Sequence, residues 1–173
     1  KRIKNNLKKN KIHDISEIIT EIRKTKTEDE IGKLKIACKK TDSIVKKAIK
    51  KIKENKIKTE KGVASFLIFE TIKQGMEVAF NPIVASGENS KHPHHKPQKK
   101  RLSGGFCVID YGVKYKNYCA DMTRTIYIGT PSQKERSDYN LVLNTQKKII
   151  KNIKNNKSCS ELHFLSEKLL NQK

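Results

Sequence analysis

Two aspartates placed in neighbouring β-prone runs constrain this chain more than any other feature of it. Residues 104–128 read GGFCVIDYGVKYKNYCADMTRTIYI. Cys107, Val108, Ile109, Tyr111 and Val113 form one apolar run, and Tyr118, Met122, Thr123, Thr125, Ile126, Tyr127 and Ile128 enrich a second. The polar segment Lys114-Tyr115-Lys116-Asn117 separates them, and the pattern predicts a β-hairpin. With the turn centred between Tyr115 and Lys116, Lys114 pairs with Asn117 and Asp110 lies opposite Asp121. Opposed residues share a face, with Cβ atoms roughly 5 Å apart. Two ionised carboxylates held in that way repel, which makes sense if a divalent cation lies between them or if they share a proton. A plainer account stays open: Asp110 begins an Asp-x-Gly turn pattern, and Asp121 has Arg124 within pairing range.

The rest of the chain reads as helices around that hairpin. Asp14-Ile-Ser-Glu17 resembles a helix start, with Ile15, Ile18, Ile19 and Ile22 on one face. Thr27-Glu-Asp-Glu30 is a capping box with extra acids suited to a helix N-terminus. Behind it Ile31, Leu34, Ala37/Cys38, Thr41, Val45, Ala48 and Ile52 recur at three- and four-residue steps, predicting a long amphipathic helix. Thr59-Glu60 opens another, carrying Val63, Phe66, Leu67, Phe69/Glu70 and Ile72 and closed by Gly75. Residues 80–87 are strand-like, and 88–101 form a polar loop. Capping boxes at Ser132–Glu135 and Ser158–Glu161 open two further helices, the first with Leu141, Val142, Ile149, Ile150 and Ile153 inside and running to about Asn155. No repeat is present. Helices, then strands, then helices predict an α+β domain and not a doubly wound parallel sheet.

With 173 residues the chain can bury one real core. Lys and Arg number 39 against 18 Asp and Glu, a formal charge of +21. Such an excess suits a polyanionic partner, but it is mostly lysine spread over helical faces, which favours compositional bias over a nucleic-acid site. Arginine, the residue suited to bidentate phosphate contacts, occurs only at positions 2, 23, 101, 124 and 136. Cys38, Cys107, Cys119 and Cys159 form no metal-finger spacing. Cys107 and Cys119, within apparent strands, are expected to be buried free thiols, in keeping with a cytoplasmic protein. No apolar run approaches the roughly 20 residues of a membrane span. In the loop, Lys91-His92-Pro93-His94-His95-Lys96-Pro97 reads either as a solvent-exposed turn or as a segment carrying one histidine toward the Asp110/Asp121 centre, where it could move a proton.

The run F-x-P-I-V-A-S-G-x-N-S-x-x-P-H-H-x-P (residues 80–97), V-I-D-Y-G (108–112) and A-D-M-T-R-T (120–125) together resemble the pita-bread metallopeptidases. That family includes Xaa-Pro dipeptidases (prolidases), Xaa-Pro aminopeptidases, methionine aminopeptidases and creatinase. The motifs stand in family order, the resemblance spans roughly residues 14 to 173, and Thr123-Arg-Thr125 looks most like the Xaa-Pro peptidase branch. It implies that residues 24–173 are the N-terminal half of a catalytic domain, with helices packed on an antiparallel sheet. Residues 1–23 would be the end of an N-terminal domain or a linker.

By the same resemblance Asp110 is the bidentate ligand of one metal and Asp121 bridges two. His94, directly after the proline, is the active-site histidine that contacts substrate and helps move protons, and Thr123 is a supporting hydroxyl behind the ligands. His92 and His95 receive no role. The complete enzyme would use two divalent ions (Mn, Co, Fe or Zn) to cleave the bond before a proline in a dipeptide or at a peptide N-terminus. Three further ligands, a histidine and two glutamates, are implied that the chain does not contain. The 173 residues are therefore expected to be a fragment, inactive alone, of a protein that is a homodimer when complete, with no membrane or nucleic-acid partner. The competing expectation is a non-catalytic pita-bread protein that binds nucleic acid or proteins through its basic surface.

Overall fold

A computed structural model describes residues 13–154 and 157–171. The basic segment 1–12 lies outside the described residues. In chain order the elements are α1 (Ser16–Lys24), α2 (Glu28–Lys53), α3 (Glu60–Ile72), β1 (Glu77–Val78), β2 (Ile83–Ser86), a 3-10 turn (Gly87–Lys91), β3 (Gly105–Tyr111), β4 (Val113–Tyr115), β5 (Tyr118–Cys119), β6 (Met122–Ile128), α4 (Gln133–Asn152) and α5 (Cys159–Leu170). They form two compact units. One holds the described residues up to Lys56 with Ser65–Pro82 and Asp110–Thr123; the other holds Ile57–Ala64, Ile83–Ile109 and the described residues from Arg124 onward.

In the first unit α2 is the organising element. Thr27 and Glu30 close the expected capping box, each side chain bonding the other's backbone N–H. Ala37, Thr41, Ile44, Val45, Ala48 and Ile52 form its buried stripe, which packs against β4 and β5. The stripe includes Ile44 and leaves Cys38 exposed. Thr41 tolerates burial because its hydroxyl has two partners: it donates to the Ala37 carbonyl at 2.9 Å and accepts the Val113 N–H at 3.0 Å. The buried Tyr111 hydroxyl is likewise bonded to the Thr71 hydroxyl. Strands β1, β4 and β5 make a three-stranded antiparallel sheet in the order β1-β4-β5.

The hairpin forms, but in a different register from the expected one. Tyr115 pairs with Tyr118 and Lys114 with Cys119, in place of Lys114 with Asn117. The turn is the two residues Lys116 and Asn117, both with positive φ (47° and 67°). That is the backbone of a type I′ turn, whose twist matches that of its flanking strands. The partner of Lys114 moves by two residues, an even number, so every side chain keeps its expected face. The ladder is also broken at Gly112, where the chain passes from β3 to β4. A Cβ there would fall inside the Ala120 carbonyl oxygen and lie 2.8 Å from the carbonyl carbon, so only glycine fits. Cys119, expected to be buried, is exposed beside the tight turn, whereas Cys107 is buried.

In the second unit the sheet order is β2-β3-β6. Cys107 and Ile109 point into the core from β3, in a two-residue alternation that Tyr111 continues. Phe106 meets Tyr127 edge-to-face at 5.4 Å and stacks on Tyr139 at 6.5 Å, tying α4 to the sheet. The capping boxes of α4 and α5 are both present. Several residues expected inside are exposed instead: Val142, Ile150 and Ile153 near and on α4, and, in the first unit, the α1 face of Ile15, Ile18, Ile19 and Ile22. Amphipathic spacing marks a face that can be covered; it does not say that the covering element lies within these residues.

Candidate active site

The acid pair sits at the end of β3 and just before β6. Alternation along β3 sends Tyr111 and Ile109 inward, and therefore turns Asp110 to the opposite, half-buried side. Asp121 follows the break in the second arm and is exposed. Thr123 donates its hydroxyl hydrogen to Asp110 Oδ1 at 3.1 Å. The Asp110 carboxyl is held above its ordinary range, first by burial and then by the negative charge and hydrogen-bonding contact of Asp121; the Thr123 hydroxyl and the Tyr111 N–H oppose this in part. The charge of Asp121 thus reaches Asp110, while the direct opposition expected from Lys114 paired with Asn117 is not the register found.

A pair of carboxylates that repel each other is a poor stabiliser and a good cation grip. The oxygens of Asp110 and Asp121 fit part of the coordination set of a hard or borderline divalent ion. Among the described residues no group of three or more His, Cys, Asp or Glu could hold a metal ion.

The histidine segment belongs to the second unit, and its three histidines differ. His92 and His94 are exposed. The His95 side chain is 8% exposed and its Nε2 lies 2.8 Å from Glu60 Oε2. Glu60, in the first turn of α3, is fully buried. Its Oε1 accepts the Ser86 N–H (2.9 Å), the Ser86 hydroxyl (3.0 Å) and the Asn89 amide (2.9 Å); its Oε2 also accepts the Gln98 N–H (3.1 Å). Burial alone would raise the Glu60 pKa, but the bonds from Asn89, His95, Ser86 and Gln98 outweigh it and bring it down to about 2. Sequence reasoning missed this centre. Ser86 and Asn89 stand in a quoted motif and Glu60 in a helix start, but nothing local announces that they meet. A cavity of about 280 Å³ between Phe106, Tyr127, Pro131 and Tyr139 includes none of His94, Asp110 or Asp121 in its lining.

The sequence profile of Metallopeptidase family M24 matches residues 32–173. The chain belongs to this family. Its M24 relatives include the Xaa-Pro dipeptidase of Pyrococcus furiosus, 35% identical over 160 residues, which is 91% of this chain and 45% of that protein. Among solved structures, the X-Pro aminopeptidase from Thermotoga maritima MSB8 superposes with a TM-score of 0.86 at 32% identity, covering 98% of this chain and 48% of that one. The prolidase from Pyrococcus furiosus gives 0.84 at 33% identity, covering 91% and 47%. The expected fold, helices with antiparallel sheet in the pita-bread arrangement, is therefore the fold found. The chain spans about half the length of these M24 relatives.

Proposed function

We propose that the complete protein is a metal-dependent peptidase that cleaves the bond before a proline at a peptide N-terminus or in a dipeptide, and that residues 24–173 are the first half of its catalytic domain. The observation that carries this reading is the contact of Asp110 with Asp121, buttressed by the Thr123 hydroxyl. Family membership and the printed activities of the M24 relatives support the substrate class.

In this reading Asp110 and Asp121 would be among the residues that hold the divalent metal. When bound, such ions supply Lewis-acid activation of a water and of the scissile carbonyl. Thr123 holds the Asp110 carboxylate in one orientation through its hydroxyl. His94, on a loop held at both ends, contacts the substrate and moves a proton. Among the described residues the set is partial, and in this reading the remaining ligands would come from the rest of the complete protein.

The test is Xaa-Pro dipeptide hydrolysis by the full-length protein with Mn²⁺, together with metal analysis. Asp121→Asn is expected to lower turnover by more than about 100-fold, beyond the usual effect of disturbing an outer partner of a ligand, and to reduce bound metal. Unchanged turnover and metal content would remove Asp121 from the site.

A further inference from the structure

Glu60 and His95 form a buried centre that the proposed chemistry does not use. One carboxylate collects five hydrogen bonds, and every donor lies between residues 86 and 98. The backbone continues the attachment: Lys61 N–H donates to the Gln98 carbonyl at 2.9 Å, Leu102 N–H to the Lys58 carbonyl at 2.8 Å, and Thr59 bridges Arg101. The loop is thus stitched to the start of α3 along both of its arms. His94 sits inside the stitched span, next to the one histidine that is anchored, and is itself exposed. Because an ionised carboxylate only accepts, His95 Nε2 carries the hydrogen of the shared bond, which sets its tautomer.

We propose that Glu60, acting through His95 and Asn89, is a positioning residue that holds the His94 loop in its working geometry. The inference rests on the reading of His94 as the histidine that meets substrate. The physical case is the concentration of donors. A loop with Pro93 and Pro97 and no regular structure between residues 92 and 100 has no ladder to hold it, and an exposed side chain on such a loop is located only as well as its anchors are. Anchoring the neighbour of His94 by a charge-assisted bond leaves the His94 ring free for substrate while limiting its backbone. A misplacement of about 1 Å in a reacting group can cost about 100-fold in rate.

The experiment is a double-mutant cycle in the full-length protein, with Mn²⁺ and an Xaa-Pro dipeptide. His95→Leu removes the anchor bond; His95→Gln keeps an N–H donor of similar reach. His95→Leu is expected to lower kcat by about 10- to 100-fold with bound metal unchanged, and His95→Gln to restore most of it. On a His94→Ala background the same His95→Leu change is expected to cost less than about 3-fold, because the group it positions is gone. Should His95→Leu fail to fold, Asn89→Ala, which removes one donor to Oε1, is taken through the same cycle. An equal loss on both backgrounds, or no rescue by His95→Gln, overturns the positioning role and leaves the peptidase reading standing. A His94→Ala variant as active as the parent, or a parent without metal-dependent turnover, overturns both.

Discussion

At the scale of single residues, the two carboxylate centres show opposite solutions to burying negative charge. The pKa of Asp110 is pushed up, first by burial and then by the charge of Asp121; Glu60 faces five donors and its pKa is pulled down to about 2. The second arrangement contributes stability directly. Thr123→Val keeps the shape of the threonine and deletes its bond to Asp110. Loss of one such bond to a charged group costs roughly 1.5 kcal/mol, about 10-fold, so full-length Thr123→Val is expected to lower kcat/KM and metal affinity by about that factor; parent-like kinetics and metal titration would remove the threonine from the site. For Glu60 the sign follows from its folded value lying below the ordinary glutamate 4.5. Its contribution is complete above pH 4.5 and is lost as pH falls toward about 2. At neutral pH it amounts to about 3 kcal/mol. Equilibrium urea unfolding between pH 2 and 7 is expected to show this loss in the parent. In Glu60→Gln, less stable at neutral pH, that part of the pH dependence should be missing.

At the scale of elements, the hairpin explains what was legible and what was not. Caps were legible because their logic is local: Thr27 with Glu30, Ser132 with Glu135 and Ser158 with Glu161 all close as read. The turn of Asp110 away from the core was legible because alternation along β3 depends only on parity. The register was not, because the turn is set by which two residues accept positive φ, and Lys116 is a poor candidate on sequence grounds. The break at Gly112 depends on the Ala120 carbonyl across the hairpin, a contact that no window along the chain contains. The Glu60 centre was hidden for the same reason, its partners lying 26 to 38 residues away. These features give two measurable consequences. Gly112→Ala drives a methyl into the Ala120 carbonyl and is expected to destabilise by more than about 3 kcal/mol, read as a fall in the urea midpoint; a midpoint within error of the parent would show that the hairpin arms separate there at little cost. Lys116→Gly relieves a left-handed lysine and is expected to raise stability by up to about 1 kcal/mol, visible as a higher Tm.

At the scale of the whole chain, the charge and the incomplete site bear on function together. The excess of lysine is spread along helices, where many of the acids present are already engaged by neighbours, as in Lys33–Asp29, Lys46–Asp42 and Lys134–Asp138. Such exposed pairs contribute little to stability. The paired acids carry more functional information than the net charge of +21. They also limit what these residues do alone. Two carboxylates would leave most of the coordination sphere of a divalent ion to water, and among the described residues no third acid, histidine or cysteine joins them in a group able to hold a metal. The 173-residue chain incubated with Mn²⁺ is therefore expected to bind the ion weakly and reversibly and to leave an Xaa-Pro dipeptide intact, while the full-length protein hydrolyses it. Both arms are read in one assay of released amino acid. Turnover by the short chain that disappears with chelator would mean that Asp110 and Asp121 need no further ligands, and the division of the active site between two halves would have to be abandoned.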